Sequence, residues 1–249
     1  MIRFDVLTLF PEYFNVMNLS IVGRGIQNGH IVLETHDIRE NSIDKHKKTD
    51  DYPYGGGEGM IMTVQPIYDT YRKVKSQIRP EEKSIFIYMS PKGKVLNQEI
   101  VKDLAGYDRI MILCGHYEGI DQRVIDEIVD MEISIGDFVL TGGELPAMVL
   151  IDAVSRLVPG VLAEEAGYEN ESHYDGLLEY PQYTRPYEIL GRKVPDVLLS
   201  GHHVNIKKWR YFQSLMITER NRPDMFEKLK LEPKVLKEYE EFKKRCGEI

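Results

Sequence analysis

The chain has 249 residues, of which 42% are hydrophobic and 29% charged, so one large or two small domains can each bury a core. This composition excludes a disordered or fibrous chain. Cys114 and Cys246 have no clustered ligand partners, which excludes a disulfide scaffold and a zinc site. The N-terminal residues do not resemble a secretory signal and no apolar run is long enough to span a bilayer, so we expect a cytoplasmic protein without a membrane partner.

The formal net charge of -8 argues against a nucleic-acid partner, because phosphate binding is driven by Lys and Arg. The charge is unevenly distributed, however. From Ser200 to Ile249 there are twelve Lys and Arg against eight Asp and Glu. A basic C-terminal module that binds RNA and a solvated helical face with interspersed charges are both compatible with this pattern.

The first half alternates strand-like and helix-like segments, which predicts an α/β domain with a largely parallel sheet. The predicted strands are 2–9, 31–38, 84–89, 109–114 and 131–135. The predicted helices are 11–20, one through Ile67 and Ile78, a short one capped by Asn97, 121–129, and 144–157.

The regular pattern ends near residue 160 and returns as helices near residue 196. The intervening stretch is too long for a simple connection, so it is a functional loop or an interdomain linker. Helices are predicted over 203–218, 224–230 and 234–244, which make a small all-α C-terminal domain. We therefore expect three parts: an α/β domain over 1–160, a loop or linker over 161–195, and a helical domain over 196–249.

Three predicted strands run into loops of unusual composition, with the sequences YMSPKGK, CGHYEG and SIGDFVLTGGELP. Ligands of parallel sheets bind beyond the carboxyl ends of the strands, so three such loops are expected to form one site. Glycine allows close backbone approach, and Tyr88, Tyr117, Leu140 and Pro146 supply apolar walls for a flat base such as adenine.

A fourth glycine cluster, DDYPYGGGEGM at 50–60, lacks the Lys-Ser/Thr pair of a phosphate-binding P-loop. The segment GRGIQNG at 23–29 does not match the dinucleotide fingerprint. We therefore reject a nucleotide hydrolase and a classical dinucleotide enzyme. Three consecutive glycines favour close passage of the backbone along another surface, either a base or a second subunit.

Together these segments resemble the bacterial tRNA (guanine-N1)-methyltransferases of the TrmD type, within the SPOUT class. The resemblance runs from about residue 8 to residue 223 and also includes LFPEYF, MTVQP, DAVSRLVPGVL, GLLEYPQYTRP, LLSGHH and IKKWR. It implies a parallel-sheet SPOUT domain with a deep C-terminal trefoil knot and an obligate homodimer whose active site lies between subunits. It also implies methyl transfer from S-adenosylmethionine to N1 of the guanosine at position 37 of tRNA, not to DNA.

The resemblance places the methyl donor against the three loops. The residues it implies are Tyr88, Met89, Ser90, Pro91, Gly93, Gly115, Tyr117, Glu118, Gly119, Ser134, Ile135, Gly136, Asp137, Phe138, Val139, Leu140, Gly142, Gly143 and Pro146. The family is associated with magnesium dependence, and Glu118 is the ligand we would test.

The resemblance also implies a general base in the flexible loop and, at the end of the preceding helix, an arginine as its electrostatic partner. The arginine corresponds to Arg156. Where the family commonly has Asp-Ser-Phe, this chain has Glu171-Ser172-His173, so we take Glu171 as the base. The residues expected to contact tRNA are His46, Asp50, Gly57, Gly59, Ser172, Lys207, Lys208 and Arg210.

Several alternatives stay open from the residues alone. Glu169 and Asp175 are rival bases in the same acidic loop, and Glu171 as a solvated surface carboxylate is the ordinary reading. Arg156 equally suits a helix C-terminus, where positive charge is favourable. A SPOUT enzyme that methylates a ribose 2′-hydroxyl or another base is a second possible function. An RNA-binding protein without turnover is the third.

Overall fold

The structure is a computed structural model that describes residues 1–162, 168 and 171–246. The chain divides into two compact units, residues 1–165 and residues 166–249. The predicted linker over 161–195 is thus divided unevenly, since most of its described residues belong to the second unit. Within the described residues, no helix combines the length and the apolar character that crossing a bilayer requires.

The first unit is built on a five-stranded, wholly parallel sheet. Its strands are β1 (Ile2–Thr8), β2 (Ile31–Asp37), β5 (Ser84–Val95), β6 (Arg109–Cys114) and β7 (Met131–Ser134). They lie in the order β2-β1-β6-β5-β7, so β6 occupies the centre. A short antiparallel pair, β3 (Asp50–Asp51) and β4 (Ile61–Met62), lies outside this sheet. The predicted mixed α/β fold with a central parallel sheet is confirmed.

Helices cover both faces of the sheet. Those of the first unit are α1 (Ser20–Gln27), α2 (Val64–Lys75), α3 (Gln98–Leu104), α4 (Gln122–Ile128) and α5 (Glu144–Ser155), with 3₁₀ helices at Pro11–Asn18 and Ile38–Asn41. Asn97 caps α3 as predicted, its side chain accepting a hydrogen bond from the Ile100 N–H at 3.0 Å.

Side chains of β6 alternate between two separate cores. Ile110, Ile112 and Cys114 pack with residues of α1, α3 and α5, whereas Met111 and Leu113 pack with residues of α2 and α4. All six residues of β6 are buried. A strand buried on both faces carries a continuous apolar run because neither side meets water, and the sequence RIMILC fits this rule apart from its first residue.

A buried carboxylate lies within the sheet at β1. Asp5 is 0% exposed, and its oxygens accept hydrogen bonds from Arg3 and from His36 Nε2, the latter at 2.8 Å. Arg109 lies 3.4 Å from the same carboxylate. Burial alone would raise the pKa of Asp5, but the hydrogen bonds from His36 and Arg3 outweigh it and lower that pKa. Asp5 is therefore a satisfied structural anion.

The second unit contains a hairpin followed by helices. The hairpin joins β8 (Glu188–Ile189) to β9 (Arg192–Lys193), and the helices are α6 (Asp196–Leu199), α7 (His203–Asn221), α8 (Pro223–Phe226) and α9 (Pro233–Cys246). Phe212, Leu215 and Tyr239 form its buried centre. Tyr239 donates a hydrogen bond to Glu219 at 2.6 Å, and Lys243 donates a second one at 2.9 Å.

Four element predictions need correction. The predicted helix over 11–20 is a 3₁₀ helix that ends at Asn18, and α1 begins at Ser20 in a segment without a helix prediction. The strand predicted over 84–89 continues to Val95. The helix predicted over 224–230 is one turn, Pro223–Phe226. α1 was missed because two glycines, which disfavour helices, lie inside it; both are buried where larger side chains would not fit.

Candidate active site

The three glycine-bearing segments meet around one cavity of about 390 Å³, which lies at the register shift of β5 between Met89 and Lys94 and beyond the carboxyl ends of β6 and β7. A volume in this range suits a cofactor-sized ligand. The predicted residues that line it are Tyr88, Met89, Ser90, Pro91, Gly115, Tyr117, Glu118, Gly119, Ser134, Ile135, Phe138, Val139, Leu140, Gly142, Gly143 and Pro146. The predicted convergence of the three loops on one site is thus observed.

Three predicted residues do not line this cavity. At Gly93 an added Cβ would overlap the backbone of Glu132, so this glycine lets the end of β5 approach β7. At Gly136, where φ is +147°, a Cβ would lie 2.6 Å from the Phe138 ring. Asp137 is exposed. The two glycines therefore do not line the cavity themselves, but they allow the close packing of the residues beside it.

Six further residues line the cavity beside those named one by one from the sequence: Lys92, His116, Ile120, Ile125, Ile133 and Thr141. Lys92, His116 and Thr141 lie inside the three loops selected from the sequence, and the first two fall within the ranges that the resemblance places against the donor. Ile125 belongs to α4 and Ile133 to β7. Their apolar side chains look like ordinary core residues, and nothing in the sequence separates them from the core.

The wall of the cavity is held by close backbone approaches at glycine. The Gly143 N–H donates a hydrogen bond to the Gly115 carbonyl at 2.9 Å. A Cβ on Gly143 would lie 2.7 Å from Cα of Cys114, and a Cβ on Gly115 would lie 2.9 Å from the ring of Tyr88. Only a hydrogen atom fits at these positions, so the loop after β6 and the start of α5 pack in direct contact.

Two groups beside the cavity stay protonated over a wide pH range. Burial, and then the charge of Glu132, raises the pKa of Tyr88 to about 12. Burial, and then the charge of Glu144, raises the pKa of the Cys114 thiol. The cavity wall therefore contains a neutral phenol, and the thiol behind it is not a nucleophile near neutral pH.

A hydrogen-bonded trio lies behind the loop after β6. The carboxylate of Glu144 accepts a hydrogen bond from Thr8 Oγ1 at 2.6 Å and contacts His116 Nε2 at 2.8 Å. Glu144 is 2% exposed and Thr8 is 0% exposed. Of the three residues, only His116 lines the cavity.

The fourth glycine cluster reaches the same cavity through Glu118. The N–H of Glu118 donates to the carbonyl of Met60 at 3.0 Å, and a Cβ on Gly59 would lie 2.6 Å from Cγ of Glu118. Gly57, at φ +140°, is exposed and lies near Pro53. The glycine cluster is thus joined to the loop after β6.

The predicted tRNA contacts His46 and Asp50 flank this cluster. His46 is exposed, and its N–H donates to the Asp44 carboxylate at 2.7 Å. Asp50 is half-buried in β3, opposite Met62 of β4. His46 therefore lies in the turn that precedes β3, and Asp50 lies in β3 itself. The neighbouring strand β4 forms a bridge from Met62 to Ile120, which lines the cavity.

Arg156 follows α5 directly and is the C-cap residue of that helix, half-buried. Its position fits both readings drawn from the sequence: a partner for a catalytic base and a positive charge at a helix C-terminus. It belongs to the first unit, whereas Glu171 belongs to the second.

The predicted base and two basic residues line a second cavity, of about 710 Å³, within the C-terminal unit. Glu171, Asp175, Lys207 and Arg210 all contribute to it. Ser172 does not; its hydroxyl accepts a hydrogen bond from the Glu179 N–H at 2.9 Å. Glu169, the other rival base, lies outside the described residues. The two described candidate carboxylates thus share one surface with basic side chains.

Two basic residues of α7, Lys208 and Arg210, contact different kinds of side chain. Lys208 forms an ion pair with Glu238 at 2.6 Å and lies over the Phe212 ring. The guanidinium of Arg210 lies 4.9 Å from the centre of the Tyr180 ring. Lys208 is therefore neutralised within its own unit, which makes it a weaker phosphate contact than Lys207 or Arg210.

Glu118, the predicted metal ligand, is exposed. Among the described residues, one group of acidic and histidine side chains is close enough to share an ion: Asp5, Glu34 and His36. Arg3 bonds both of these carboxylates, so this group is already neutralised. A single exposed carboxylate such as Glu118 can hold Mg²⁺ only together with water or substrate oxygens.

Comparison with known proteins identifies the family. A family model described as tRNA (Guanine-1)-methyltransferase TrmD matches residues 2–228. A Ruminiclostridium cellulolyticum protein named tRNA (guanine-N(1)-)-methyltransferase is 60% identical over 228 residues, which are 91% of this chain and 97% of the relative. A Clostridium perfringens protein of the same name is 54% identical over 235 residues, 94% of this chain and 98% of the relative. One from Clostridium botulinum strain Hall is 55% identical over 240 residues, 95% and 98%.

The parallel sheet and the cavity beyond its strand ends define an α/β protein built to bind a small ligand between loops. The family match and the near-complete coverage by its relatives make the assignment more specific. The chain belongs to the TrmD family of tRNA (guanine-1)-methyltransferases. The resemblance inferred from the sequence motifs is confirmed.

Proposed function

We propose that this chain transfers a methyl group from S-adenosylmethionine to N1 of the guanosine at position 37 of tRNA, in the cytoplasm where tRNA is used. The observation that carries this proposal is the single cavity formed by the three loops in a chain of the TrmD family. The relatives in this family are named for methylation of tRNA at guanine N1, and their names state the reaction class.

The cavity fits the methyl donor by size and by lining. Apolar side chains such as Leu140 and Pro146 can cover the faces of an adenine ring, while the glycine-rich backbone of 115–119 can approach its edge. When bound, S-adenosylmethionine supplies a sulfonium-activated methyl group. The residues of the cavity therefore have to bind and orient the donor and exclude water.

The acceptor needs a base, because N1 of guanine carries a hydrogen and is a poor nucleophile until it leaves. In this proposal the carboxylate of Glu171 accepts that hydrogen as a proton. The electron pair left on N1 would then form the bond to the methyl carbon as the bond from that carbon to sulfur breaks and the donor leaves as a neutral thioether. Arg156 stabilises the negative charge that develops on the guanine near O6. Gly59, Asp50 and His46 border the acceptor, because the glycine cluster adjoins Glu118 at the edge of the cavity.

The tRNA itself is held in this proposal by the second unit. Lys207 and Arg210 share a cavity surface with Glu171, so phosphate contacts there would bring the backbone of the substrate toward the base. Lys208 and Ser172 support this surface through their contacts with Glu238 and Glu179. Residues 196–249 would then serve as a helical tRNA-binding domain behind the loop over 161–195.

We further propose a homodimer, which an exposed apolar surface supports. α5 exposes Leu145 at 49% and Val149 at 47%, one turn apart, and the 3₁₀ helix packed against α5 exposes Tyr13 and Val16. Adjacent exposed apolar side chains of this size mark a protein interface more often than free surface. In this proposal each active site combines Arg156 of one subunit with Glu171 of the partner subunit, as the resemblance to the family implies.

The family also implies a trefoil knot in the first unit. In the knot that we propose, the loop after β6 and the start of α5 lie side by side, and the hydrogen bond from Gly143 to Gly115 joins these two segments. An experimental electron-density trace over residues 84–162 tests it, and a trace in which no segment passes through the loop of another would contradict the knot.

The function is tested by methyl transfer to two transcripts. The purified chain is incubated with methyl-labelled S-adenosylmethionine and a tRNA transcript with guanosine or adenosine at position 37, and the digested nucleosides are identified by mass spectrometry. We expect 1-methylguanosine from the first transcript alone. Label on a ribose or another base would indicate a different SPOUT target. No transfer, together with no uptake of the donor by calorimetry, would indicate an RNA-binding protein without turnover.

A magnesium titration in the same assay tests the metal proposal. If Glu118 holds Mg²⁺ with substrate oxygens, chelation lowers the rate for the wild type, and Glu118→Gln shifts the half-saturating magnesium concentration upward. A wild-type rate that is unchanged by chelation would contradict the metal requirement.

A further inference from the structure

Glu144 is a buried carboxylate that two different parts of the chain contact. It is the first residue of α5 and is 2% exposed. One oxygen accepts a hydrogen bond from Thr8 Oγ1 at 2.6 Å, and the other lies 2.8 Å from Nε2 of His116. Each oxygen therefore has a hydrogen-bond partner. A buried carboxylate needs such partners because it has lost its contacts with water.

The partners of Glu144 come from separate parts of the first unit, and of the two only His116 lines the donor site. Thr8 ends β1, His116 lies in the loop after β6, and Glu144 follows the loop after β7. Thr8 Oγ1 also accepts a hydrogen bond from the Phe10 N–H at 2.9 Å, and the ring of Phe10 lies 4.8 Å from that of His116. His116 is thus held by two contacts, one between its ring and that of Phe10 and one between its Nε2 atom and Glu144.

The carboxylate of Glu144 lies at the N-terminus of a helix, where a negative charge is favourable. Glu144 lies in the first turn of α5, where the unpaired N–H groups of a helix stabilise an anion. Since an ionised carboxylate only accepts hydrogen bonds, the His116 imidazole carries its hydrogen on Nε2 when it is neutral. The carboxylate therefore sets which side of the imidazole is a donor.

We propose that Glu144 is a positioning residue of the donor site. By holding Thr8 and His116 at the same time, it fixes the loop over 115–119 against α5 and so determines the affinity of the cavity for the methyl donor. Glu144 does not line the cavity and acts through His116, which does. This inference rests on the proposed function, because it assumes that the cavity binds S-adenosylmethionine.

The chain contains a matched control in the contact between His36 and Asp5. Its Nε2 to oxygen distance is also 2.8 Å, and its side chains are 15% and 0% exposed, against 18% and 3% for His116 and Glu144. Neither His36 nor Asp5 lines the cavity. We expect loss of the contact between His36 and Asp5 to lower stability about as much as loss of the contact between His116 and Glu144, but to leave the donor site unchanged.

The test compares four variants with the wild type: Glu144→Gln, His116→Asn, the double variant of these two, and His36→Asn. Donor affinity is measured by calorimetry with S-adenosylmethionine, and folding by circular dichroism and thermal unfolding. In Glu144→Gln the amide oxygen can still accept from Thr8, but its NH₂ group faces the Nε2 hydrogen of His116. We expect donor affinity to fall about tenfold in Glu144→Gln and to stay within about twofold in His36→Asn.

The double variant shows whether the two residues act through one contact. If they do, it binds the donor about as weakly as either single variant, because the contact is lost only once. In steady-state assays with tRNA, the KM for the donor should rise while kcat at saturating donor changes much less. Losses that multiply in the double variant would contradict the positioning role.

The outcomes separate this inference from the proposed function. A wild type that neither binds the donor nor methylates tRNA would overturn both. A wild type that does both, together with a Glu144→Gln variant of unchanged donor affinity, would overturn the positioning role alone. If Glu144→Gln does not fold, Thr8→Val removes one hydrogen bond to the same carboxylate and should weaken donor binding in the same direction; unchanged affinity in it would contradict the inference.

Discussion

Glu171 stands at the position where TrmD-type proteins commonly carry aspartate, with one methylene more in its side chain. We expect Glu171→Gln to lower the single-turnover rate of methyl transfer by about 10²- to 10⁴-fold, because proton removal from N1 would lose its base. Glu171→Asp should keep most of the rate. The rate is measured with saturating donor and a guanosine-37 transcript.

Asp175→Asn is the control for this prediction, because Asp175 lines the same cavity of the second unit and is also an acidic loop residue. Its rate should stay near that of the wild type. If Asp175→Asn loses the activity and Glu171→Gln keeps it, the base is Asp175 and the assignment of Glu171 is wrong.

Single residues also show where the sequence was sufficient and where it was not. Loop residues such as Gly115, Tyr117 and Leu140 were predicted for the cavity because glycine and aromatic residues at strand ends carry a local signal. The contact of Glu144 with Thr8 spans 136 positions, and no local pattern encodes it. A glutamate after two glycines also looks like an ordinary helix start, so its burial could not be predicted.

The start of α5 is the element on which the donor cavity most depends. The N-cap residue Gly143 has φ -83°, a conformation that alanine adopts without strain, so only the added Cβ matters. That Cβ would lie 2.7 Å from Cα of Cys114 and 2.9 Å from N of Gly115. We expect Gly143→Ala to weaken binding of S-adenosylmethionine by about tenfold or more, measured by calorimetry.

Gly106→Ala is the corresponding control, since a Cβ there meets a carbonyl oxygen at 3.3 Å and no closer atom. It should bind the donor as the wild type does. Wild-type affinity in Gly143→Ala would show that the loop and the helix can separate without affecting the cavity, and would contradict the tight-packing argument.

The helices α7 and α9 of the second unit are joined by the hydrogen bond from Tyr239 to Glu219. Burial, and then the carboxylate of Glu219, raises the pKa of Tyr239 above its usual value near 10. In the unfolded chain the phenol ionises near pH 10, whereas in the folded chain it ionises only at higher pH. The stabilisation is therefore complete below about pH 10 and is lost as the pH rises toward the folded pKa.

We expect Tyr239→Phe to lower the free energy of unfolding of the second unit by about 1 kcal/mol at pH 8, because the hydrogen bond to Glu219 is lost. The loss is no larger because solvent partly screens the carboxylate of Glu219. This difference should shrink above pH 10. The single tryptophan, Trp209, lies in this unit, so its fluorescence reports denaturant unfolding there. Tyr187→Phe, at an exposed tyrosine of the same unit, should change neither value; a constant difference from pH 8 to 11 would contradict the pKa argument.

At the scale of elements, most strands were predictable and the irregular segments were not. The strand over 109–114 has its predicted bounds, because six consecutive buried residues leave little ambiguity. α1 was hidden by Gly23 and Gly25, whose small size is demanded by Asn18 and Ile31 in the folded chain. Helix propensity describes a residue in isolation, and here tertiary packing overrides it.

The whole molecule is proposed to act as a homodimer through the exposed apolar face of α5. We expect Leu145→Glu to yield a folded monomer by sedimentation velocity, because an exposed position tolerates the charge but an interface does not. The monomer should lack methyl transfer. Glu127→Ala changes a charged residue of α4 at the surface and should leave the dimer intact.

A mixing experiment then tests whether the site lies between subunits. Arg156→Ala and Glu171→Ala are each expected to be inactive alone. If one site takes its arginine and its carboxylate from different subunits, hybrid dimers restore about a quarter of the wild-type turnover, since half the dimers are hybrids with one intact site each. No recovery after subunit exchange would place both residues in one chain.

The interior position of β1 in the sheet has a consequence for synthesis. Its neighbours are β2, which begins at residue 31, and β6, which begins only at residue 109. A nascent chain therefore carries its first strand half-paired until Cys114 has emerged from the ribosome, and the last wall of the cavity is missing until Pro146 follows. Until then the growing polypeptide has no place to hold the methyl donor.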